Sequence, residues 1–314
     1  MIANPGKTFF DLRMMKLEGL IAATFTPFHA TGELNLASIP QYVDYLIDSG
    51  MKGLYVCGTT GEGVNMTVEE RQAVAEAFQS ATNGRIPVIV QVGANSLGDC
   101  RILAAHAESI QAAFVSANAP SYFRIENTAL LADCMTEIAA AAPKTPFYYY
   151  HIPGFTGVSI DMTEFLDRMK ADCPTFAGIK YTDTRAFQFQ EAVSYDNGRY
   201  DILWGCDEML LSGLIVGGRG GVGSTYGLIP TLYTDLWSAW QSGNWEEARR
   251  LQLRSWLFVK TFLKRGHTHQ TQKAILKMVG FDFGQSRLPI PPLATGPEDK
   301  LRQDLQTLGF LPPH

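Results

Sequence analysis

The sequence predicts an α/β fold, a (β/α)8 TIM barrel with a C-terminal helical extension. Eight short apolar runs rich in β-branched and aromatic residues alternate with longer amphipathic segments, which is typical of buried parallel strands joined by helices. After residue 243 only helical patterns remain. A chain of 314 residues is compatible with this fold, because α/β barrels of about 250 residues or more form a single domain.

The predicted strands are bounded by glycine, proline or polar residues. They cover residues 19–28, 53–58, 88–93, 112–118, 146–153, 176–183, 200–207 and 220–226. An open eight-stranded sheet is the competing architecture. Eight regular strand–helix units favour the closed barrel.

The helical patterns lie between these runs and beyond the last one. One begins near Thr67, where Glu70 follows three residues later and completes a capping box. The others cover residues 38–49, 97–110, 127–141, 161–171, 185–194, 208–216, 229–241, 245–264, 269–279 and 297–308. We therefore expect a barrel domain over residues 17–243 and a helical extension over 244–314 that packs on the barrel.

Composition argues against several classes of partner. The net charge is −5, so no basic field indicates nucleic acid, and no run of 18 apolar residues indicates a membrane span. The first 20 residues lack a continuous apolar segment, so we expect no signal peptide. The five cysteines form no C-x-x-C pair, which favours reduced thiols in a cytoplasmic protein.

Two further motifs are interpreted as carrying no chemistry. A G-x-G-x-x-G pattern over residues 218–223 enters the last predicted strand instead of following one, so we expect no nucleotide. His267 and His269 are too few for a metal site, and we expect both on the surface. No metal and no cofactor are predicted.

Polar residues gather at the carboxyl ends of five predicted strands, where catalytic groups of (β/α)8 barrels lie. They could also mark the points at which strands reach solvent. These residues are Thr59, Thr60, Glu62, Tyr150, His151, Lys180, Thr182, Asp207, Glu208, Ser224 and Thr225.

Lys180 is the least expected of these residues, because it lies inside the apolar run FAGIKYTD. Lysine is rarely buried, and burial lowers the pKa of its amine. A neutral amine at this position could attack a ketone and form a Schiff base, which acts as an electron sink. A lysine that extends to solvent or pairs with an acid would also fit the pattern.

Tyr150 lies one strand away from Lys180, at a similar depth, where a phenol could carry protons. Side chains alternate along a strand, so Tyr148 and Tyr150 share one face and Tyr149 lies on the other, beneath the helices. The loop GTTGEG (58–63) offers hydroxyl and backbone N–H groups suited to a carboxylate, or forms a tight turn. Glu62 is expected to order this loop.

The motifs GTTGEG, YYYHIPGFTG, GIKYTD, GCDE and GVGSTYG occur in this order from residue 58 to 227. With them, the sequence from about residue 19 to 293 resembles the N-acetylneuraminate lyase branch of the dihydrodipicolinate synthase superfamily of class I pyruvate aldolases. The resemblance implies a (β/α)8 barrel and reversible cleavage of N-acetylneuraminate, a sialic acid, to N-acetylmannosamine and pyruvate. It also implies a homotetramer in which an aromatic residue near Tyr122 lies at a subunit interface.

The resemblance assigns roles residue by residue. Lys180 would form the Schiff base and Tyr150 would transfer protons. Thr59 and Thr60 would bind the pyruvate carboxylate. The sugar would be bound by Thr182, Gly205, Asp207, Glu208 and Ser224.

Two residues depart from the family pattern, and they bear on which branch of the superfamily the sequence resembles. Phe155 stands where the synthases carry an arginine for a second carboxylate, which disfavours 4-hydroxy-tetrahydrodipicolinate synthase. Gly227 stands where many sialic acid lyases have asparagine, which affects only the sugar contacts. An aldolase of 2-keto-3-deoxy sugar acids or a non-catalytic sugar-acid sensor could share the same barrel. A sensor has no need of both Lys180 and Tyr150.

Overall fold

The computed structural model describes residues 16–312. Eight parallel strands form a closed barrel in chain order, with β8 paired to β1, so the predicted fold class is confirmed. The strands are β1 (Gly19–Ala23), β2 (Gly53–Val56), β3 (Val88–Gln91), β4 (Phe114–Asn118), β5 (Phe147–His151), β6 (Phe176–Tyr181), β7 (Asp201–Trp204) and β8 (Gly220–Gly223). Each is shorter than its predicted run, and in all but β4 the carboxyl end of the run belongs to the following loop.

Eleven of the twelve helices in the described part of the chain follow the predicted segments closely, and the short α5 has no predicted counterpart. They are α1 (Ile39–Asp48), α2 (Val68–Thr82), α3 (Leu97–Ser109), α4 (Thr128–Ala140), α5 (Pro153–Thr156), α6 (Met162–Asp172), α7 (Ala186–Ser194), α8 (Leu210–Ile215), α9 (Pro230–Gln241), α10 (Trp245–Leu263), α11 (Thr268–Met278) and α12 (Thr295–Thr307). Thr67 and Glu70 form the predicted capping box at the start of α2. Among residues 16–312, no helix is long and apolar enough to cross a membrane.

The core has two layers, which the alternation along β5 separates. Tyr148 and Tyr150 point into the barrel, where they pack with residues such as Phe114. Tyr149 points outward and packs against Phe165 of α6. The two faces of β5 are therefore those predicted from the sequence.

The amino-terminal end of the barrel is closed by a buried carboxylate. Asp201 accepts hydrogen bonds from the Tyr148 hydroxyl at 2.7 Å and the Leu17 backbone N–H at 2.9 Å. Burial raises the pKa of Asp201 to about 6, although both hydrogen bonds oppose that shift. Together with the aromatic rings above it, this group fills the lower part of the barrel.

The last three helices pack beside the barrel. α10 packs along α9, and α11 and α12 pack on α10. Residues 270–276 of α11 are all buried, including polar ones, because this helix lies between α10 and the carboxyl-terminal end of the barrel. Helix α11 therefore borders the end of the barrel at which functional groups are expected.

Candidate active site

A cavity of about 290 Å³ opens at the carboxyl ends of the strands. It brings together all but one of the nine residues for which a catalytic or binding role is predicted. Its lining consists of Ala23, Thr59, Thr60, Tyr150, Phe155, Lys180, Thr182, Gly205, Asp207, Val222, Ser224, His267, Thr268, His269 and Gln272.

Lys180 lies at the inner end of this cavity. It is 5% exposed, and it is in register with Tyr150 on the neighbouring strand. Its Nζ lies 3.9 Å from the ring centroid of Tyr55 and 3.9 Å from that of Tyr150. Burial lowers the pKa of the Lys180 amine to about 7, against the opposing effect of the Asp207 carboxylate. A substantial fraction of this amine is therefore neutral at physiological pH.

Tyr150 presents a protonated phenol beside that amine. Its hydroxyl lies 3.4 Å from Thr59 Oγ1, and its ring meets the Tyr55 ring edge to face at 5.6 Å. Burial raises the pKa of Tyr150 to about 12. The phenol keeps its proton at neutral pH and can both donate and accept a hydrogen bond.

The loop after β2 carries Thr59 and Thr60 to the cavity. Backbone hydrogen bonds within the loop fold it into a turn. From outside the loop, Thr26 Oγ1 donates to the Gly61 carbonyl at 2.7 Å. Glu62 adopts the left-handed conformation, with φ of 56°, and its buried carboxylate pairs with Lys273 Nζ at 2.8 Å. The side chain of Glu62 thus orders the loop, as predicted.

The opposite wall is built around Asp207. Its Oδ2 accepts hydrogen bonds from Thr225 N at 2.8 Å, Thr225 Oγ1 at 2.7 Å and Ser224 Oγ at 3.5 Å. Burial raises the pKa of Asp207 to about 6, and the nearby Glu208 charge adds to the shift. The carboxylate is ionised at neutral pH and gives this wall a negative charge.

Glycines allow this wall to approach the cavity closely. A Cβ at Gly205 would overlap Thr182 Oγ1, and a Cβ at Gly223 would overlap the Asp207 carboxylate. Thr182 Oγ1 is buried and has no hydrogen-bond partner among the described residues. It also lies near enough to the Tyr150 phenol to lower the pKa of that group, against the larger effect of burial.

Glu208 is half-buried and is not among the residues that line this cavity, so its sugar-binding role stays a prediction. Residues Asp207–Met209 form a single 3-10 turn, in which successive side chains point about 120° apart.

The predicted positions of His151 and His269 are corrected, and His267 is exposed as expected. His151 is fully buried outside the barrel, where it stacks on Tyr181 with ring centroids 5.0 Å apart, and burial lowers its pKa to about 4. It follows Tyr150, so strand alternation places it on the opposite face. His267 and His269 line the cavity, although only His267 is exposed.

Helix α11 contributes residues that sequence analysis missed. His269 and Gln272 both line the cavity. Their polar character suggests a solvent-facing helix, and no local pattern shows that the barrel covers it. Within the described part of the chain, no three His, Cys, Asp or Glu side chains are placed to hold a metal ion.

Comparisons with other proteins agree on one family. The dihydrodipicolinate synthetase family model matches residues 16–308. The N-acetylneuraminate lyase of Mus musculus is 39% identical over 300 residues, which are 94% of each chain, and that of Homo sapiens is 38% identical with the same coverage. The solved structure of the Proteus mirabilis N-acetylneuraminate lyase superposes with a TM-score of 0.91 at 34% identity, covering 95% of this chain and all of that one.

Proposed function

This chain belongs to the dihydrodipicolinate synthetase family, and we propose that it is an N-acetylneuraminate lyase that works through a Schiff base on Lys180. The observation that carries the proposal is the buried Lys180 amine, with its pKa lowered to about 7, in contact with the Tyr150 ring. The lyases of mouse, human and Proteus mirabilis support the choice of substrate. The reaction is the reversible cleavage of N-acetylneuraminate to N-acetylmannosamine and pyruvate.

The first step is formation of the iminium. The neutral Lys180 amine attacks the C2 keto carbon of the open-chain sugar acid, and loss of water leaves a protonated imine. Thr59 and Thr60 bind the C1 carboxylate through hydroxyl and backbone donors. Their positions in the cavity lining support this role.

The second step breaks the C3–C4 bond. Tyr150 relays the proton of the C4 hydroxyl: its oxygen accepts that proton while its own phenolic proton passes to the substrate carboxylate, and the C4 oxygen becomes the aldehyde of N-acetylmannosamine. The bonding electrons pass to the iminium and form an enamine. Protonation of the enamine at C3 and hydrolysis then give pyruvate and restore Lys180, so the imine serves as the electron sink throughout.

The sugar portion lies against the wall that contains Asp207. Thr182, Gly205 and Ser224 line the cavity beside Asp207 and complete this subsite. Glu208, the next residue along the chain, remains a proposed sugar ligand although it is outside that lining. An ionised carboxylate accepts hydrogen bonds from a polyol, and buried polar groups matched to hydroxyls reject substrates that lack them.

A synthase activity has less support. Phe155 lines the cavity entrance and is 69% exposed, at the position where a synthase would place an arginine. A phenyl ring cannot neutralise a second carboxylate. Aldolases of 2-keto-3-deoxy sugar acids share the Lys180 chemistry and differ only in the sugar subsite.

The test is chemical trapping followed by turnover. With pyruvate and borohydride, the wild-type protein should gain one covalent adduct at Lys180, located by peptide mass spectrometry. Lys180→Ala should abolish both the adduct and the cleavage of N-acetylneuraminate. Substantial cleavage by Lys180→Ala would remove Lys180 from the mechanism, and an adduct without cleavage would favour another pyruvate aldolase.

The proposal also covers the oligomeric state, the cellular location and the domain organisation of the enzyme. We infer a homotetramer in the cytoplasm, built from a barrel domain (17–243) and a helical extension (244–314). Exposed aromatic side chains at Tyr122 and Phe123 support assembly. The five cysteines are all unpaired, which fits a reducing compartment.

A further inference from the structure

One face of helix α11 contacts two separate parts of the cavity wall. His269, Gln272 and Lys273 are spaced i, i+3 and i+4, so they share this face. Two of them bind the loop after β2, and the third binds the residue after β8. The helix lies outside the barrel and contributes none of the groups that react.

His269 and Lys273 hold the two ends of the short segment that contains the carboxylate-binding threonines. His269 Nε2 lies 2.8 Å from the Thr59 carbonyl oxygen. A carbonyl oxygen can only accept, so Nε2 carries the proton and donates. Lys273 Nζ lies 2.8 Å from Glu62 Oε1, with side chains 1% and 0% exposed. The backbone of Thr59 and Thr60 is thus fixed from both sides.

Gln272 acts on the opposite wall. Its Nε2 donates to Ser224 Oγ at 2.9 Å, and Ser224 Oγ in turn donates to Asp207 Oδ2 at 3.5 Å. These bonds fix the direction of the Ser224 proton and leave the remaining lone pair of Oγ as an acceptor. Gln272 is itself 4% exposed, so its amide is held in a single environment.

We propose that α11 positions the two halves of the substrate separately, with His269 and Lys273 setting the keto-acid subsite and Gln272 setting the sugar subsite. The inference rests on the proposed lyase function for its sugar half. The keto-acid half depends only on pyruvate binding at Lys180. Separation follows from the contacts, because the loop after β2 and the end of β8 meet α11 through different side chains.

The experiment compares two variants by two independent constants. His269→Phe keeps a ring and removes the N–H donor, and Gln272→Met keeps the side-chain length and removes the amide. The first constant is the pyruvate concentration that gives half-maximal borohydride trapping at Lys180. The second is KM for N-acetylmannosamine in the condensation direction, measured at saturating pyruvate.

We expect opposite patterns. His269→Phe should raise the pyruvate constant about tenfold, as expected for the loss of one fixed hydrogen bond, and should change KM for N-acetylmannosamine by less than about twofold. Gln272→Met should raise KM for N-acetylmannosamine about tenfold and should change the pyruvate constant by less than about twofold. His269→Gln, which retains an N–H donor, should recover most of the pyruvate affinity.

Lys277→Met serves as the control on the same helix, because Lys277 is exposed and pairs with Asp282, away from the cavity lining. It should leave both constants unchanged. If both variants raise both constants by similar factors, or if neither changes either, α11 is only a packing element and the proposal is wrong. If the protein traps pyruvate but does not use N-acetylmannosamine, the lyase assignment fails, while the His269 result still decides the keto-acid half.

Discussion

At the scale of single residues, the ε-amino group of Lys180 is subject to two opposing effects. The faces of Tyr55 and Tyr150 attract an ammonium, an interaction worth about 0.5–2 kcal/mol. Burial disfavours the same charge and lowers the pKa of the amine to about 7, against the opposing effect of the Asp207 carboxylate. The rings therefore keep water away from an amine that is neutral about half of the time at neutral pH.

The rate of pyruvate trapping should depend on pH through this amine. Because the deprotonated form reacts, trapping with cyanoborohydride should rise with pH, reach half its maximum near pH 7 and then level off. The pKa of Tyr150, about 12, is too high to cause a fall in the same range. Mass spectrometry of timed samples gives the profile. Lys180→Arg, which cannot be deprotonated, should trap nothing, and a midpoint near pH 10 would contradict the lowered pKa.

Tyr150→Phe should separate imine formation from bond cleavage. The phenyl ring still packs against the Lys180 amine, so pyruvate trapping should continue. Loss of the phenolic proton acceptor should lower kcat for N-acetylneuraminate cleavage by about 10²–10⁴-fold. Stopped assays of pyruvate release measure this effect, and turnover at the wild-type rate would assign proton transfer to another group.

At the scale of elements, the buried ion pair between Lys273 and Glu62 joins α11 to the loop after β2. The ammonium of Lys273 also lies 4.3 Å from the centre of the Phe28 ring, and the Arg287 backbone N–H donates to Glu62 Oε2 at 3.1 Å. Both charged groups are buried away from water, so each charge is stabilised by the other. Removing one partner leaves an isolated charge in the interior.

Lys273→Met should therefore destabilise the fold by about 3–5 kcal/mol. Glu62→Gln combined with Lys273→Met should recover most of this loss, because the buried charge is gone and an amide oxygen can still accept from Arg287. Urea unfolding monitored by circular dichroism gives the free energies. Lys277→Met should cost under about 0.5 kcal/mol as a surface control, and equal losses in the single and double variants would contradict the coupling.

The elements themselves are predictable from the sequence, and the contacts of α11 are not. The period of two in β5 separates Tyr148 from Tyr149, and the same rule places His151 outside the cavity. The 3-10 turn at Asp207–Met209 is not evident from the sequence, so the direction of the Glu208 side chain does not follow from strand alternation. The hydrogen bond from His269 to Thr59 joins residues 210 positions apart, and no local sequence pattern links residues that far from each other.

At the scale of the whole molecule, the most exposed aromatic pair among residues 16–312 lies on the loop between β4 and α4. Tyr122 and Phe123 are 79% and 83% exposed, and their rings meet edge to face at 5.1 Å. Paired aromatic side chains on the surface are typical of subunit interfaces. Their position in the chain matches the segment for which the sequence predicts an interface.

Sedimentation equilibrium should give about four times the chain mass of 34.6 kDa. Tyr122→Asp with Phe123→Asp should give a smaller species, because two charges would have to be buried in the interface. Leu288→Asp, at an equally exposed apolar residue elsewhere, should not change the mass. A wild-type monomer at assay concentration would contradict the tetramer.

The closed lower half of the barrel has a kinetic consequence for the proposed reaction. Asp201, Tyr148 and Phe114 fill the space beneath Lys180, so the described cavity opens toward the strand ends alone. The keto acid, bonded to the innermost amine, lies behind the sugar. Cleavage is therefore sequential, with N-acetylmannosamine departing first and pyruvate last. In the reverse direction pyruvate must enter before the aldose, and pyruvate in excess should compete directly with N-acetylneuraminate.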